Sequence, residues 1–543
     1  MKKYVLIALV AVAAVSCQQR ELNTRVSNAT GWNYFDQKTT NFQAYEGVGN
    51  VNPTGMVAIQ GGAFTVGEKD EFLTAPRNNE TRTVTVNSFY MDKYEVTNLN
   101  WNEYLHWLDF VFGKVAPELV DKARPDHKVW REDLAYNDPY EDNYFEHPAF
   151  SFYPIVGITW EQAMDYCQWR TDRVNELALI NCGALQLPDF AVLSQEFEED
   201  EVEDWQLENP GYELVAYERP SDEDPEQTVT LYHVPYEWIR DKFVFNTDKY
   251  LIDDSYVPAY GRKPKLDSYG NNRKATIADG IFVTGYRLPT ESEWEFAAYA
   301  PVAGEDGLTI EGKVYPWSGY HPREMTKKAL GQMQANFVRG RGDMMGVAGD
   351  LNDNANITAP VNSFWPNDFG LYNMAGNVNE WVLDVYRSTT TDEVSEYNPF
   401  RGNIYTAPVK DSTETFKIDS LGRLVFDVPV PRDSLAQYVK YDVRNWKDGD
   451  AQSSVNKDKW KEIVDPDIAT DRLYNPDTDA EGMLATHVSN TTRVYKGGSW
   501  KDRSYWLSPA TRRYKEQSEC ANDLGFRCAM IRVGSDKGNN AKQ

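Results

Sequence analysis

A loop-rich α+β protein is predicted by three features of the sequence. Sixteen Trp, 33 Tyr and 23 Phe supply more large rings than a disordered polymer carries, so the 543 residues can bury one large core or two or three ordinary ones. Short alternating apolar runs give strands, and two Ser/Thr-x-x-Glu/Gln boxes open helices. The 27 Pro and 35 Gly then place turns at short intervals between these elements.

The elements follow in chain order. Lys2 and Lys3 precede an apolar run from Tyr4 to Val15, about twelve residues, too short for a span of roughly 20 but right for a signal-peptide core. Ala14, Val15 and Ser16 meet Cys17 as in a bacterial lipobox, so residues 1–16 are expected to be removed and Cys17 lipidated. Residues 17–50 read as a polar tether broken by Ala29-Thr-Gly-Trp32. Met56 to Gly67 alternates around Gly61-Gly62 and predicts a β-hairpin; Thr83 to Tyr90 alternates too. Thr97 is an N-cap for a helix with Trp101, Leu105 and Leu108 on one face. Thr159 with Gln162 opens a helix carrying Ala163, Met164, Cys167, Val174 and Leu177, and Thr290 with Glu293 opens one carrying Trp294, Ala297 and Ala298.

Residues 177–284 hold 22 acidic and nine basic side chains. Their centre, Glu196 to Asp204, reads as a solvated loop because so many like charges repel. A second polar stretch, 387–493, is punctuated by Asp, Asn and Pro. The whole chain carries 83 acidic against 56 basic residues, a net charge of −27, which argues against nucleic acid as a partner.

Several separated motifs together resemble the formylglycine-generating-enzyme, or sulfatase-modifying-factor, family, whose fold is C-type-lectin-like. They are Ile59-Gln-Gly-Gly-Ala-Phe-Thr-Val-Gly67, Tyr94-Glu-Val-Thr-Asn98, Tyr153-Pro-Ile-Val-Gly-Ile-Thr-Trp160, Arg287-Leu-Pro-Thr-Glu-Ser-Glu-Trp294, Tyr315-Pro-Trp317, Asn367 to Asn377, Gly497-Gly-Ser-Trp500 and Gly525-Phe-Arg527. The resemblance implies one domain over 51–534, interrupted by inserts 177–284 and 387–493 and followed by a polar tail, 535–543. Enzymes of this family oxidise a substrate cysteine with two thiols that bind copper, a soft metal that prefers sulfur. Here Asp502 and Trp506 fall roughly where those thiols would be, and no cysteine lies between 183 and 519. The resemblance therefore implies no copper and no formylglycine reaction.

It also implies structural features. Cys167 and Cys528 match two family cysteines that form a disulfide, while Cys182 and Cys520 are either free or a second bridge. Oxygen-rich loops suit calcium. One family site maps to Asn373, the Gly376 and Val378 carbonyls and Glu380, and a second to Asn336, the Phe337 carbonyl, Asp353 and the Ala355 carbonyl. The lipobox, Ala29-Thr-Gly-Trp32, Phe89-Tyr-Met-Asp92, Trp169 to Glu176 and the long insert before Arg287 further resemble gliding-motility lipoproteins of the Bacteroidetes, of the GldJ type. That likeness implies a non-catalytic scaffold, lipid-anchored on the periplasmic face of the outer membrane, with gliding and type IX secretion envelope proteins as partners. Two other readings stay open: a glycan- or peptide-binding module using Trp317, Trp365, Trp381, Trp500 and Trp506, and an oxidase with a rearranged site.

Overall fold

Two four-stranded sheets and two long helices form the core in the computed structural model, which describes residues 29–30, 53–68, 78–186, 195–199, 201–208, 214–220, 228–236, 239–240, 244–254, 256, 265–266, 272–301, 313–338, 355–387, 396–404, 406–413, 415–419, 423–427 and 488–533. Cys17, the signal segment, Trp32, Asp353, most of 428–493 and the tail lie outside the described residues. The chain divides into two units. The smaller contains Met1–Val51, Ala275–Phe282 and Gly534–Gln543; within it Ile277–Asp279 makes a 3-10 turn, closed by a 2.8 Å bond from Thr276 N to Asp279. The larger, Asn52–Lys274 and Val283–Val533, contains everything described below.

Its first strands are β1 (Met56–Ile59), β2 (Gly62–Val66), β3 (Arg82–Val86) and β4 (Phe89–Asp92). The hairpin expected at Gly61-Gly62 does not form. β1 pairs antiparallel with β4, and β2 with β3. The chain passes between the two pairs at Gly61, where a Cβ would stand 2.1 Å from the Val86 carbonyl oxygen, so the glycine serves close backbone approach rather than a turn. Downstream come α1 (Asn98–Phe112), α2 (Trp160–Asn181), β5 (Glu196–Glu198), α3 (Val202–Glu208), β6 (Val215–Pro220), β7 (Thr228–His233), β8 (Tyr286–Arg287), α4 (Glu291–Tyr299), β9 (Asn379–Val385), β10 (Thr492–Lys496), β11 (Arg513–Glu516), β12 (Leu524–Gly525) and β13 (Ala529–Ile531). One sheet runs β1-β4-β13-β8, all antiparallel. The other runs β11-β10-β9-β12, its last pair parallel.

Local signals fix the helix starts. Thr97, Thr159 and Thr290 each cap a helix through a reciprocal box with Asn100, Gln162 and Glu293. Helices α1 and α2 then pack through rings, with Trp101 stacked on Tyr166 at 5.4 Å and both edge-on to Phe526. Helix α4 sits under β2 and β3, where Phe296 meets Phe64 at 5.2 Å.

Two expectations fail for reasons of helix phase and ring burial. Ala163, Cys167, Thr171, Asn175 and Leu179 form the buried stripe of α2; Leu177, two residues past Asn175, falls on the opposite face and is 55% exposed. The stretch Glu196 to Asp204 is not simply a loop. Phe197 on β5 is buried and meets Trp205 of α3 at 4.8 Å, while Glu196, Glu198, Glu199, Glu201, Glu203 and Asp204 remain exposed. Two rings order a segment whose charges stay in water.

The inner face of α2 is polar and ties down the insert. Asp172 accepts the Thr247 amide at 2.8 Å, and Asn175 bonds Thr247 Oγ1 at 3.1 Å and the Val283 amide at 2.9 Å. Burial pushes the Asp172 carboxyl up to about 6. A folded-state value above the unfolded one means the native protein holds that proton more tightly, so this group's contribution is favourable below about pH 4 and is lost as pH rises through about 6. Asp172→Asn keeps the acceptor and removes the titration. Urea unfolding at a series of pH values is expected to show the variant gaining stability over the wild type between pH 4 and 6, by up to about 3 kcal/mol.

Candidate functional site

Strand β9 delivers Glu380 to the centre of the molecule. Its carboxylate receives Arg527 Nε at 2.7 Å, Arg527 Nη2 at 2.5 Å and Trp294 Nε1 at 2.7 Å, and both ions are fully buried. Arg527 also donates to the carbonyls of Tyr372 (2.8 Å) and Asp92 (3.2 Å). Nearby, Glu95 accepts Asn373 Nδ2 at 2.8 Å and Asn377 Nδ2 at 3.0 Å. Burial, with the charge of Glu380 second, pushes Glu95 up to about 8.

The loop from Asn373 to Asn379 is held tightly. Asn377 Oδ1 accepts the Ala359 amide at 2.7 Å, and Asn336 donates to the Ile357 carbonyl at 2.8 Å. Gly376, at φ 75°, lies where a Cβ would be 2.4 Å from the Asn336 carbonyl oxygen. The two expected cation-binding stretches therefore adjoin. Among the described residues no donor reaches Asn373 Oδ1 or the buried carbonyls of Gly376 and Val378. Glu380 retains one lone-pair position after its three N–H donors. These oxygens fit a hard cation in donor type and supply four of the roughly six to eight it takes, with Arg527 sharing the Glu380 charge. Of the second set, Asn336, Phe337 and Ala355 are buried, and Asp353 is outside the described residues.

The stretch after Gly497-Gly498 holds no thiol. Ser499 donates through its amide (2.9 Å) and hydroxyl (2.7 Å) to Asp502. Arg513, from β11, forks onto Asp502 at 2.8 and 2.6 Å, also bonds Asn379, and lies 4.4 Å above the Trp506 ring. A carboxylate neutralised by a guanidinium and an indole beneath that same guanidinium thus stand at Asp502 and Trp506, the positions the resemblance implies for the thiols. Neither is a soft-metal ligand or a redox group. Among the described residues no group of three or more His, Cys, Asp or Glu side chains is arranged to hold a metal. Cys167 and Cys528 are brought together as buried thiols, sulfurs 3.5 Å apart. Cys182, exposed, contacts the Leu179 carbonyl, and Cys520 contacts Asp126, so the structure does not join that second pair.

The five tryptophans offered as a sugar platform have separate surroundings. Trp317 stacks on Tyr315, Trp381 is buried against Tyr495, Trp500 lies on Trp130, Trp506 meets Tyr505 edge-on, and Trp365 is half exposed. The sequence reading also missed a cleft of about 460 Å³ beside Glu95, bordered by Tyr94, Glu103, Trp169, Arg170 and Tyr286. Arg170 pairs with Asp92 at 2.6 Å and lies 4.3 Å over the Tyr286 ring. Glu95 itself was visible only inside a motif; nothing local in Tyr94-Glu-Val marks it as the partner of two asparagines almost 280 residues away.

The sulfatase-modifying factor enzyme 1-like domain matches residues 42–421. The chain belongs to this family. Inactive C-alpha-formylglycine-generating enzyme 2 of Bos taurus is 38% identical over 109 residues, 20% of this chain and 30% of that protein. Formylglycine-generating enzyme of Thermomonospora curvata is 42% identical over 100 residues, 18% of this chain and 27% of the enzyme. This chain therefore spans about a third or less of the length of these curated relatives. Treponema denticola variable protein 1, a solved structure, aligns over 88% of this chain and 95% of its own at 16% identity, with a TM-score of 0.34. The loop-rich α+β, formylglycine-generating-enzyme-like fold expected from the sequence is the fold of the chain.

Within this family frame the Asp502–Arg513 pair is mostly buried, the side chains 12% and 20% exposed. Asp502→Ala leaves Arg513 with only the more distant Asp523 as counter-charge and is expected to cost about 2–3 kcal/mol, less than breaking a fully buried pair because water still reaches the guanidinium. Chemical denaturation of the variant, with Asp502→Asn as the conservative comparison, checks this.

Proposed function

We propose that this chain is a non-catalytic scaffold of the gliding-motility and type IX secretion apparatus of the Bacteroidetes, of the GldJ type, lipidated at Cys17 and held at the periplasmic face of the outer membrane. The observation that carries the non-catalytic part is the Asp502–Arg513 pair standing where the family's thiols fall, with Trp506 beneath it. Lipidation confines the body to one leaflet and raises its concentration near other anchored proteins without any new contact. The acidic insert supplies a docking face, since its exposed carboxylates sit on an ordered strand and helix. Among the described residues no helix is long and apolar enough to cross a membrane.

Calcium has a structural role in this reading. Asn373 Oδ1, the Gly376 and Val378 carbonyls and Glu380 would hold one ion, and Asn336, Asp353 and the Phe337 and Ala355 carbonyls a second. A bound ion supplies charge to carbonyls that lack donors and fixes the loop that feeds β9. Cys167 and Cys528 form the disulfide that ties α2 to the residues before β13; closing so long a loop contributes about 3–5 kcal/mol in the chain-entropy model. A second reading, binding of a small ligand or peptide, is favoured by the cleft beside Glu95, whose volume lies in the usual range for such sites.

Native co-purification through a C-terminal tag tests the scaffold. Stoichiometric co-elution with secretion or motility envelope proteins is expected, and lost when Glu196, Glu198, Glu199, Glu201, Glu203 and Asp204 are changed to their amides. A lone monomer in several detergents would sink the scaffold and leave the ligand reading. For calcium, elemental analysis of protein purified without chelator is expected to find the ion bound, and chelation to lower the melting temperature. Protein that carries none, and melts identically with and without chelator, would remove calcium from the account.

A further inference from the structure

A second cavity, away from the site above, lies where the first turn of α4 meets the end of β9. Four arginines line it, Arg82, Arg387, Arg401 and Arg512, together with Glu291 and Asp384. Those carboxylates are already engaged. Glu291 binds Arg512 at 2.8 Å and Lys496 at 3.4 Å, while Asp384 accepts the amides of Glu291 at 2.7 Å and Arg401 at 3.0 Å. The cations are not all engaged. The guanidinium of Arg82, on β3, makes no hydrogen bond or salt bridge to any described residue, and its Nε is buried. Arg512, only 9% exposed, leaves its own buried Nε without a partner after its Nη atoms bond Glu291, the Asn78 carbonyl and the Arg387 carbonyl. Burial and the neighbouring Glu291 charge push Asp384 up to about 7, which deepens the positive excess near neutral pH.

We infer that this cavity binds one tetrahedral oxyanion, phosphate or sulfate, between Arg82 and Arg512. Arg82 and Arg512 share the single charge of Glu291 and each keeps a buried Nε–H without a described acceptor, and planar guanidinium forks match the paired oxygens of such an anion. Ser292 and the N-terminus of the nine-residue helix α4 face the same space, adding positive potential. The free volume is about 30 Å³. One water needs about 10–15 Å³ and small-molecule pockets run to about 300 Å³ or more, so the space admits a small ion and excludes a sugar or nucleoside. A halide would fill it without using the forks.

Equilibrium dialysis of the purified full-length chain with radiolabelled inorganic phosphate tests the inference. One saturable site per chain is expected, displaced by sulfate and not by chloride at matched ionic strength. Arg82→Gln removes a guanidinium that makes no hydrogen bond to a described residue and should weaken binding about tenfold or more while the anion-free protein still unfolds in one cooperative transition. Competition by glycerol phosphate as strong as that of inorganic phosphate would support the site and identify its occupant as the phosphoryl end of a larger molecule. Competition by the inorganic ions alone would support it with a free ion. Absence of saturable binding in the wild type overturns the inference whatever the variant does, as does binding by Arg82→Gln equal to the wild type, or displacement by chloride as readily as by sulfate, which would mean a cavity filled by water or any small ion.

Discussion

The fold depends on a guanidinium that never reaches water. Arg527 and Glu380 are both fully buried, and an ion in such a place is tolerated only if every remaining donor and acceptor is also met. Here Trp294, Tyr372 and Asp92 supply further hydrogen bonds, so the pair recruits α4, the loop before β9 and the end of β4 to one point. The residues on either side extend this. Phe526 enters the ring cluster of α1 and α2, and Cys528 faces Cys167. Three consecutive residues near the end of the chain thus fasten three different parts of the core.

The Asp502–Arg513 pair stands beside this buried frame rather than within it. The buried charges that connect the sheets, Arg527 with Glu380 and Lys496 with Glu295, lie on α4, β9, β10 and the final segment. The loop after Gly498 touches this frame through Asn379 and Arg513 alone among its charged and amide partners on β9 and β11. There Asp502 pairs with Arg513 and both side chains stay partly open to water.

What was legible in the sequence was what is local. Thr97, Thr159 and Thr290 open helices because each satisfies its own first turn with a residue three positions on, and no distant partner is needed. The buried stripe of α2 was legible in period but not in extent. Its lower half is polar, and Asp172 and Asn175 make sense only once Thr247 and Val283 arrive from the insert. The hairpin at Gly61-Gly62 failed for the complementary reason: alternation specifies strands, not which strand each one pairs with, and a glycine needed for close approach looks the same as one needed for a turn. The absence of any cysteine between 183 and 519 was legible directly. That Arg513 neutralises Asp502 could not be read, since the carboxylate and its partner meet only when β11 folds back on β10.

Charge is distributed with a clear division of labour. The net charge of −27 comes in large part from an insert in which Glu196, Glu198, Glu199, Glu201, Glu203 and Asp204 stand in water on and beside β5 and α3, while Arg527 and Lys496 are drawn inward to bridge elements of the core. An exposed acidic face repels anionic headgroups and other acidic chains, so a body tethered close to a membrane is held off the lipid by the same surface that a basic protein would approach. On the scaffold reading the partner of this insert is therefore basic, its association is fast at low salt, and it weakens as ionic strength rises. Contacts made through the buried guanidinium network would not respond in that way, because low-dielectric pairs are screened far less.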